Sequence, residues 1–183
     1  MKITLVRHAE VEKNYQGKYN GHLDISLSKN GKLQAKELAN RFQDEDFDKI
    51  YCSDLLRAKE TLDAFDTQVE VIFTSKLREK SWGIHEGKSF DEIQDSGIIY
   101  ESFEQWVNAL DGEDIYQYKA NVKNFLENTL LNEKSKNILI VTHSGFIKTL
   151  VSIIQKSSLE QAFSLDLPYS SFVVISNDNI TFH

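Results

Sequence analysis

Apolar residues along this chain fall into short continuous runs that alternate with segments where they recur every three or four positions. The runs predict buried strands over residues 3–6, 49–53, 69–73, 137–142, 172–176 and 180–182. The amphipathic segments predict three helices by their first residues: one capped by Ser28, one capped by Ser53 or Asp54, and one that begins at Ser89. They predict three more over residues 100–110, 115–131 and 144–154. This alternation predicts an α/β fold, a three-layer α/β/α sandwich around a mostly parallel sheet.

The chain shows no break in this pattern that would mark a linker. Its 183 residues are the size of one ordinary domain, and it has a single proline and no low-complexity segment. We therefore expect one domain over residues 1–183. A turn at Asn177-Asp178-Asn179 is expected to join the last two strands.

The charge balance limits the partners of the chain. The formal net charge is −7 and no basic stripe is present, so neither nucleic acid nor an anionic membrane is an expected partner. No signal-peptide pattern or membrane-length apolar run is visible, and the lone Cys52 rules out an intramolecular disulfide, which together favour the cytoplasm. Cys52 follows an apolar run and is expected to be a core residue.

Basic residues gather where the predicted strands end. Arg7 and His8 follow the first strand, His143 follows the fourth, and Arg57 lies in the first turn of the helix after the second. Taken singly, each could be an ordinary surface or strand-end residue. The carboxyl ends of parallel strands meet at one edge of a sheet, so together they predict two arginines and two histidines around one small space.

This set of residue types suits a phosphoryl group. Arginine forks match phosphate oxygens, and the helix that opens at Ser144 would add backbone N–H donors. A neutral imidazole is a nucleophile toward phosphorus, and a carboxylic acid in the irregular charged segment 76–87 could protonate the leaving oxygen. The chain has no convincing metal-ligand spacing, and we expect neither a metal nor another cofactor.

The loop over residues 11–25 is both polar and aromatic. It is either a plain surface loop or a lip that faces the substrate, because binding residues favour loops held by rigid elements. The candidate substrate-binding residues, to which Ser144 is added, are Asn14, Lys18, Tyr19, Asn20, Gly21 and His22.

Four short motifs occur in order, each at a predicted strand end or helix start. They are Arg7-His8-Ala9-Glu10; Ser53, Leu55 or Leu56, Arg57, Ala58 and Thr61; Leu77, Glu79, Gly83, Glu86 and Gly87; and Val141-Thr142-His143-Ser144-Gly145. From residue 3 to about residue 155, the chain resembles the histidine phosphatase superfamily, which includes the cofactor-dependent phosphoglycerate mutases. The resemblance implies a phosphoglycerate mutase-like fold.

The resemblance also implies roles for these residues. His8 would carry the phosphoryl group, Arg7, Arg57 and His143 would hold its oxygens, and Glu79 would be the general acid and base. Asn14 matches a family asparagine that contacts phosphate. Four positions depart from the family pattern. Ala9 stands where the family usually has Gly, Val11 where it has Thr or Ser, Lys18 where it has Arg, and His85 where it has Trp.

The function implied is hydrolysis of a small phosphorylated metabolite. The segment 17–28 looks most like the bacterial α-ribazole-5′-phosphate phosphatases of cobalamin nucleotide-loop assembly. Three alternatives stay open: a phosphoprotein phosphatase acting on phosphohistidine or phosphoserine, a phosphoglycerate mutase, and a non-catalytic module that binds a phosphorylated ligand. The sequence leaves the oligomeric state undetermined, with a homodimer as one option.

Overall fold

A computed structural model describes residues 1–176 and 179–183. Its centre is a six-stranded sheet in the order β3-β2-β4-β1-β5-β6. The strands are β1 (Lys2–Arg7), β2 (Lys49–Ser53), β3 (Val71–Thr74), β4 (Asn137–Thr142), β5 (Phe172–Ser176) and β6 (Asn179–Phe182). The first four run parallel to one another, and β5 and β6 are antiparallel additions, which confirms the mostly parallel sheet.

Seven α-helices occur in the described part of the chain. They are α1 (Lys29–Arg41), α2 (Leu56–Leu62), α3 (Phe90–Asp95), α4 (Phe103–Ala109), α5 (Ile115–Phe125), α6 (Ser144–Gln155) and α7 (Leu159–Phe163). Short 3-10 turns cover Lys13–Tyr15, Ser75–Leu77 and Gly83–His85.

Side chains of the central strand β4 alternate between two hydrophobic cores. Ile138 and Ile140 pack with α4, α5 and α6 on one face, whereas Leu139 and Val141 pack with α1 and α2 on the other. Successive side chains of a strand point to opposite faces, and a strand covered on both faces is therefore apolar throughout. The three-layer α/β/α prediction is confirmed.

Several sequence-based expectations were wrong in detail. The N-cap of α2 is Leu55, not Ser53 or Asp54, and no side chain caps this helix. The helix predicted over 115–131 is α-helical only to Phe125 and then widens into one π-helical turn, Leu126–Leu130. Helix α7 was not predicted because five residues are too few to show a helical period. The predicted turn at Asn177 and Asp178 lies outside the described residues.

Candidate active site

The carboxyl ends of β1, β2 and β4 meet at one edge of the sheet. His8 directly follows β1, His143 directly follows β4, and Arg57 lies in the first turn of α2. The ring centroids of the two histidines are 5.2 Å apart. The sequence-based prediction that these residues come together is confirmed by this geometry, whereas their catalytic roles stay predictions.

His8 is held in one tautomer by the backbone beside it. Its Nδ1 lies 2.8 Å from the carbonyl oxygen of Ala9. Because a carbonyl oxygen only accepts, Nδ1 carries the hydrogen and Nε2 of the neutral ring keeps its lone pair. Burial, and then the Arg57 and Arg7 guanidinium groups, hold the pKa of His8 well below its usual value, which favours this neutral form.

His143 is completely buried against the end of β2. Its Nε2 lies 2.8 Å from the Ser53 hydroxyl, and its Nδ1 has no hydrogen-bond partner among the described residues. Burial, followed by the charges of Arg57 and other nearby basic groups, also holds the pKa of His143 well below its usual value. Both histidines are therefore neutral at pH 7.

Arg57 is 1% exposed, and its guanidinium group is tied to the loop before α1. It donates to the carbonyl oxygens of Leu23 at 2.7 Å and Gly21 at 2.8 Å. Gly21 has a φ of +46°, a conformation that favours glycine, and a Cβ there would lie 2.2 Å from the Glu86 carboxylate. Burial lowers the pKa of Arg57 to about 10, which leaves it charged at pH 7.

Arg7 is held by the segment that precedes β5. Its guanidinium group donates to the carbonyl oxygen of Leu167 and lies 4.2 Å from the centroid of the Tyr169 ring. Ser170, which adopts a left-handed φ of 61°, donates its N–H to the His8 carbonyl. Sequence reasoning missed Tyr169, although Pro168 at the start of an irregular turn before a strand was a usable signal.

Glu79 reaches the site from the irregular segment after β3. Its carboxylate accepts the N–H of Gly145 at 3.0 Å and the N–H of Lys80 at 3.1 Å. A Cβ at Gly145 would lie 2.0 Å from the nearer carboxylate oxygen. The start of α6 therefore supplies an N–H donor to Glu79, whereas the sequence suggested that it would supply donors to the substrate.

The site opens into a cavity of about 550 Å³ whose inner end contains Arg7, His8, Arg57 and Glu79. Lys18, Tyr19, Asn20 and Gly21 of the loop before α1 line it, as does Ser144 of α6, and their role in substrate binding stays a prediction. Its outer wall is mainly aromatic. The residues of that wall, which we call the aromatic wall, are Tyr19, Trp82, Phe90, Tyr100, Phe103, Trp106 and Phe163.

Two predicted substrate residues do not reach this cavity. Asn14 is exposed in the 3-10 turn Lys13–Tyr15, and it does not line the cavity that contains His8. The ring of His22 turns the other way, with Nε2 2.9 Å from the carbonyl oxygen of Glu79. His22 therefore supports the Glu79 backbone and does not line the cavity.

The departures from the family motifs are accommodated locally. Ala9 is buried without a positive φ, and its N–H donates to Thr61 Oγ1 at 2.9 Å. Val11 is completely buried and bridges to Leu27. His85 is buried and accepts the N–H of Asp111 at 3.1 Å, which ties the segment 76–87 to the loop after α4.

The described residues, 1–176 and 179–183, place no group of three or more His, Cys, Asp or Glu side chains where it could hold a metal ion. None of the helices in this part of the chain is long and apolar enough to cross a membrane.

Comparison with known proteins extends the resemblance to the C-terminal strands. Residues 3–182 match the model of the histidine phosphatase superfamily, branch 1. Phosphoserine phosphatase 1 of Hydrogenobacter thermophilus is 31% identical over 183 residues, 96% of this chain and 86% of that protein. The adenosylcobalamin/alpha-ribazole phosphatase of Escherichia coli is 30% identical over 158 residues, 83% of this chain and 78% of that protein. The crystal structure of the alpha-ribazole phosphatase of Shigella flexneri aligns with a TM-score of 0.83 at 27% identity, covering 100% of this chain and 95% of that chain.

Proposed function

Because the chain belongs to the histidine phosphatase superfamily, we propose that this phosphatase hydrolyses a small phosphomonoester through a phosphohistidine on His8. The observation that carries the proposal is one cavity with a cationic inner end and an aromatic outer wall. The substrate it suits best is a phosphate ester whose alcohol bears a planar ring, and α-ribazole 5′-phosphate is the candidate.

The first step uses the lone pair on Nε2 of His8. Nε2 attacks phosphorus, the P–O ester bond breaks, and the leaving oxygen takes a proton from the Glu79 carboxylic acid. The phosphoryl oxygens lie between the guanidinium groups of Arg7 and Arg57. Because both groups are anchored on backbone carbonyls, they need not reorganise as charge moves onto these oxygens.

The second step returns the enzyme to its starting state. The Glu79 carboxylate takes a proton from water, the water oxygen attacks phosphorus, and the N–P bond breaks. Inorganic phosphate leaves, His8 is neutral again, and Glu79 is again a carboxylic acid. The two backbone N–H groups that bind the Glu79 carboxyl oxygens hold this group in place through both steps.

The aromatic wall supports a ring-bearing leaving group. Trp106 donates from Nε1 to the Tyr19 hydroxyl at 2.9 Å, and the Tyr19 ring meets Trp82 edge-on at 5.0 Å. The Phe90 ring lies 4.6 Å from that of Trp106. Rings fixed in this way offer flat apolar surface on which a benzimidazole can stack, and the cavity volume falls in the range of ligand pockets, about 300–1,000 Å³.

A second candidate substrate is free phosphoserine. The relative from Hydrogenobacter thermophilus carries that name, and two lysines line the same cavity. Each lysine is already engaged, because Lys18 lies 3.4 Å from Glu92 and Lys148 donates to the Phe163 carbonyl at 3.0 Å. A carboxylate would have to compete for them, and we therefore rank phosphoserine second.

A trapping experiment tests the mechanism. The protein is mixed with an aryl phosphate at mildly acid pH, quenched in base, and analysed by mass spectrometry beside His8→Ala and Glu79→Ala. We expect a base-stable, acid-labile phosphate on His8 that is absent from His8→Ala. Hydrolysis by the wild type without label on His8 would refute the proposed route.

A substrate panel tests the substrate class. We expect kcat/KM for α-ribazole 5′-phosphate to exceed that for phosphoserine, phosphopeptides and 3-phosphoglycerate. Faster turnover of phosphopeptides would favour a phosphoprotein phosphatase. Phosphoglycerate interconversion that depends on a bisphosphate primer would instead show a mutase, and binding without turnover would show a binding module.

A further inference from the structure

The Ser53 hydroxyl has a role that neither the helix nor the strand explains. Ser53 ends β2 and is completely buried, and α2 begins three residues later, at Leu56, without a side-chain cap. Its hydroxyl oxygen lies 2.8 Å from Nε2 of His143, which is also completely buried. The end of β2 thus places one hydroxyl against one imidazole nitrogen, and both side chains are buried.

Counting donors and acceptors fixes the direction of this bond. The Ser53 oxygen already accepts the N–H of Leu55 at 3.4 Å, and among the described residues the acceptor within reach of its own hydrogen is Nε2 of His143. If Nε2 carried a hydrogen, the hydroxyl hydrogen would be buried without an acceptor, which is the costly case for a polar group. The hydroxyl therefore donates to Nε2, and the ring hydrogen of neutral His143 lies on Nδ1.

We propose that Ser53 is a positioning residue that holds His143 in the Nδ1–H tautomer, so that His143 offers an N–H donor beside His8. Nδ1 of His143 is buried and has no partner in the residues that the structure describes. A phosphoryl group offers only acceptor oxygens, so a lone pair at Nδ1 would repel it, whereas an N–H binds it. The proposal rests on the proposed phosphoryl transfer at His8.

The same tautomer thus has opposite effects on the two rings. In His8 the Ala9 carbonyl accepts the hydrogen bond from Nδ1–H, which leaves the lone pair on Nε2 available for attack. In His143 the Ser53 hydroxyl donates a hydrogen bond to the lone pair on Nε2, which leaves the N–H on Nδ1 free. One imidazole is prepared as a nucleophile and the other as a hydrogen-bond donor, without either ring being charged.

Histidine nitrogen spectra test the tautomer without catalysis. In protein labelled with ¹⁵N-histidine at neutral pH, we expect two-bond ¹H–¹⁵N correlations to show the His143 hydrogen on Nδ1 in the wild type. Ser53→Ala should lose this preference, and Ser53→Thr, which restores a hydroxyl, should regain it. A hydrogen on Nε2 in the wild type, or an unchanged Nδ1–H in Ser53→Ala, would overturn the proposal.

Phosphate binding and turnover provide the second readout. We expect Ser53→Ala to weaken competitive inhibition by inorganic phosphate about tenfold or more and to lower kcat for p-nitrophenyl phosphate. The matched control is Ser152→Ala, which also removes a buried serine hydroxyl, one bonded to the Thr149 carbonyl along α6. Equal losses in the two variants would overturn the proposal. If the wild type forms no phosphohistidine, the proposed function fails, while the nitrogen spectra still report on Ser53.

Discussion

Gly145→Ala should separate the activity of this protein from its stability. Gly145 is the second residue of α6, and its N–H donates to the Glu79 carboxylate at 3.0 Å. An added Cβ would lie 2.0 Å from one carboxylate oxygen and 3.0 Å from the carboxyl carbon. These atoms belong to the end of a flexible side chain, so we expect Glu79 to move by about an ångström while α6 stays in place.

The two effects of the methyl group have opposite signs. Alanine is the better helix former by about 0.5–1 kcal/mol, which roughly offsets the lost hydrogen bond to Glu79, and Tm should change by only a few degrees. A displacement of about 1 Å costs on the order of 10²-fold in rate when it misplaces a catalytic group. We therefore expect kcat for an alkyl phosphate to fall about 100-fold.

The choice of leaving group tests whether Glu79 is the acid. A p-nitrophenolate leaves without a proton, so phosphoryl transfer from p-nitrophenyl phosphate to His8 should be nearly unaffected in Gly145→Ala. Water still needs a base in the second step, and the phosphoenzyme should therefore accumulate and appear as a burst of p-nitrophenol. Glu79→Gln, which keeps the shape of the side chain, is the comparison variant and should show the same burst.

A wild-type kcat on alkyl phosphates in Gly145→Ala, at an unchanged Tm, would refute the role assigned to Glu79. That result would mean that Glu79 need not occupy its observed position to act, or does not act at all. An equal loss with alkyl and aryl phosphates, without a burst, would also contradict the assignment, because it would indicate damage to the nucleophile or to phosphate binding.

Three further predictions concern the rest of the site. Phe90→Ala should lower kcat/KM for α-ribazole 5′-phosphate about fivefold but leave phosphoserine turnover unchanged, because only the planar base loses stacking area. The Tyr169 ring covers the Arg7 guanidinium group at 4.2 Å, and a Phe ring would do the same. Tyr169→Leu should therefore raise the inhibition constant of inorganic phosphate several-fold, and Tyr169→Phe should not. The pKa of His8 is held well below its usual value of about 6.5, so between these two pKa values the unfolded chain binds a proton that the native protein does not. The contribution of neutral His8 to the free energy of unfolding should therefore be fully present above about pH 6.5 and decrease below it. In urea unfolding, the free energy of unfolding should fall less between about pH 7.5 and about pH 5.5 in His8→Gln than in the wild type.

The sheet could be predicted because its strands leave a strong periodic signal. The continuous apolar run of β4 indicates burial on both faces, which occurs in the interior of a parallel sheet. Short helices leave no such signal, and α7 with its five residues was missed. The cap of α2 was misassigned because Ser53 has the residue type of a cap, although its hydroxyl is bonded to His143 across the sheet.

The inner end of the site could be predicted because strand topology alone brings His8, His143 and Arg57 together. The outer end depends on loops whose paths are set by contacts distant in sequence. Trp106 meets Tyr19 across 87 positions, and the Leu167 carbonyl meets Arg7 across 160. No local sequence pattern encodes such contacts. Asn14 and His22 were wrongly predicted to line the substrate site because the path of their loop could not be read from the sequence.

The way the two arginines are held shows how an acidic chain can bind an anion. No carboxylate lies within 4.0 Å of the Arg7 or Arg57 guanidinium nitrogens among the ion pairs of the described chain. Backbone carbonyls hold both groups instead, and a carbonyl satisfies N–H donors without neutralising the charge. A carboxylate partner would stabilise these two cations but would also compete with the phosphoryl group for them. The fold therefore bears the cost of two desolvated cations, and the full positive charge is kept for the substrate.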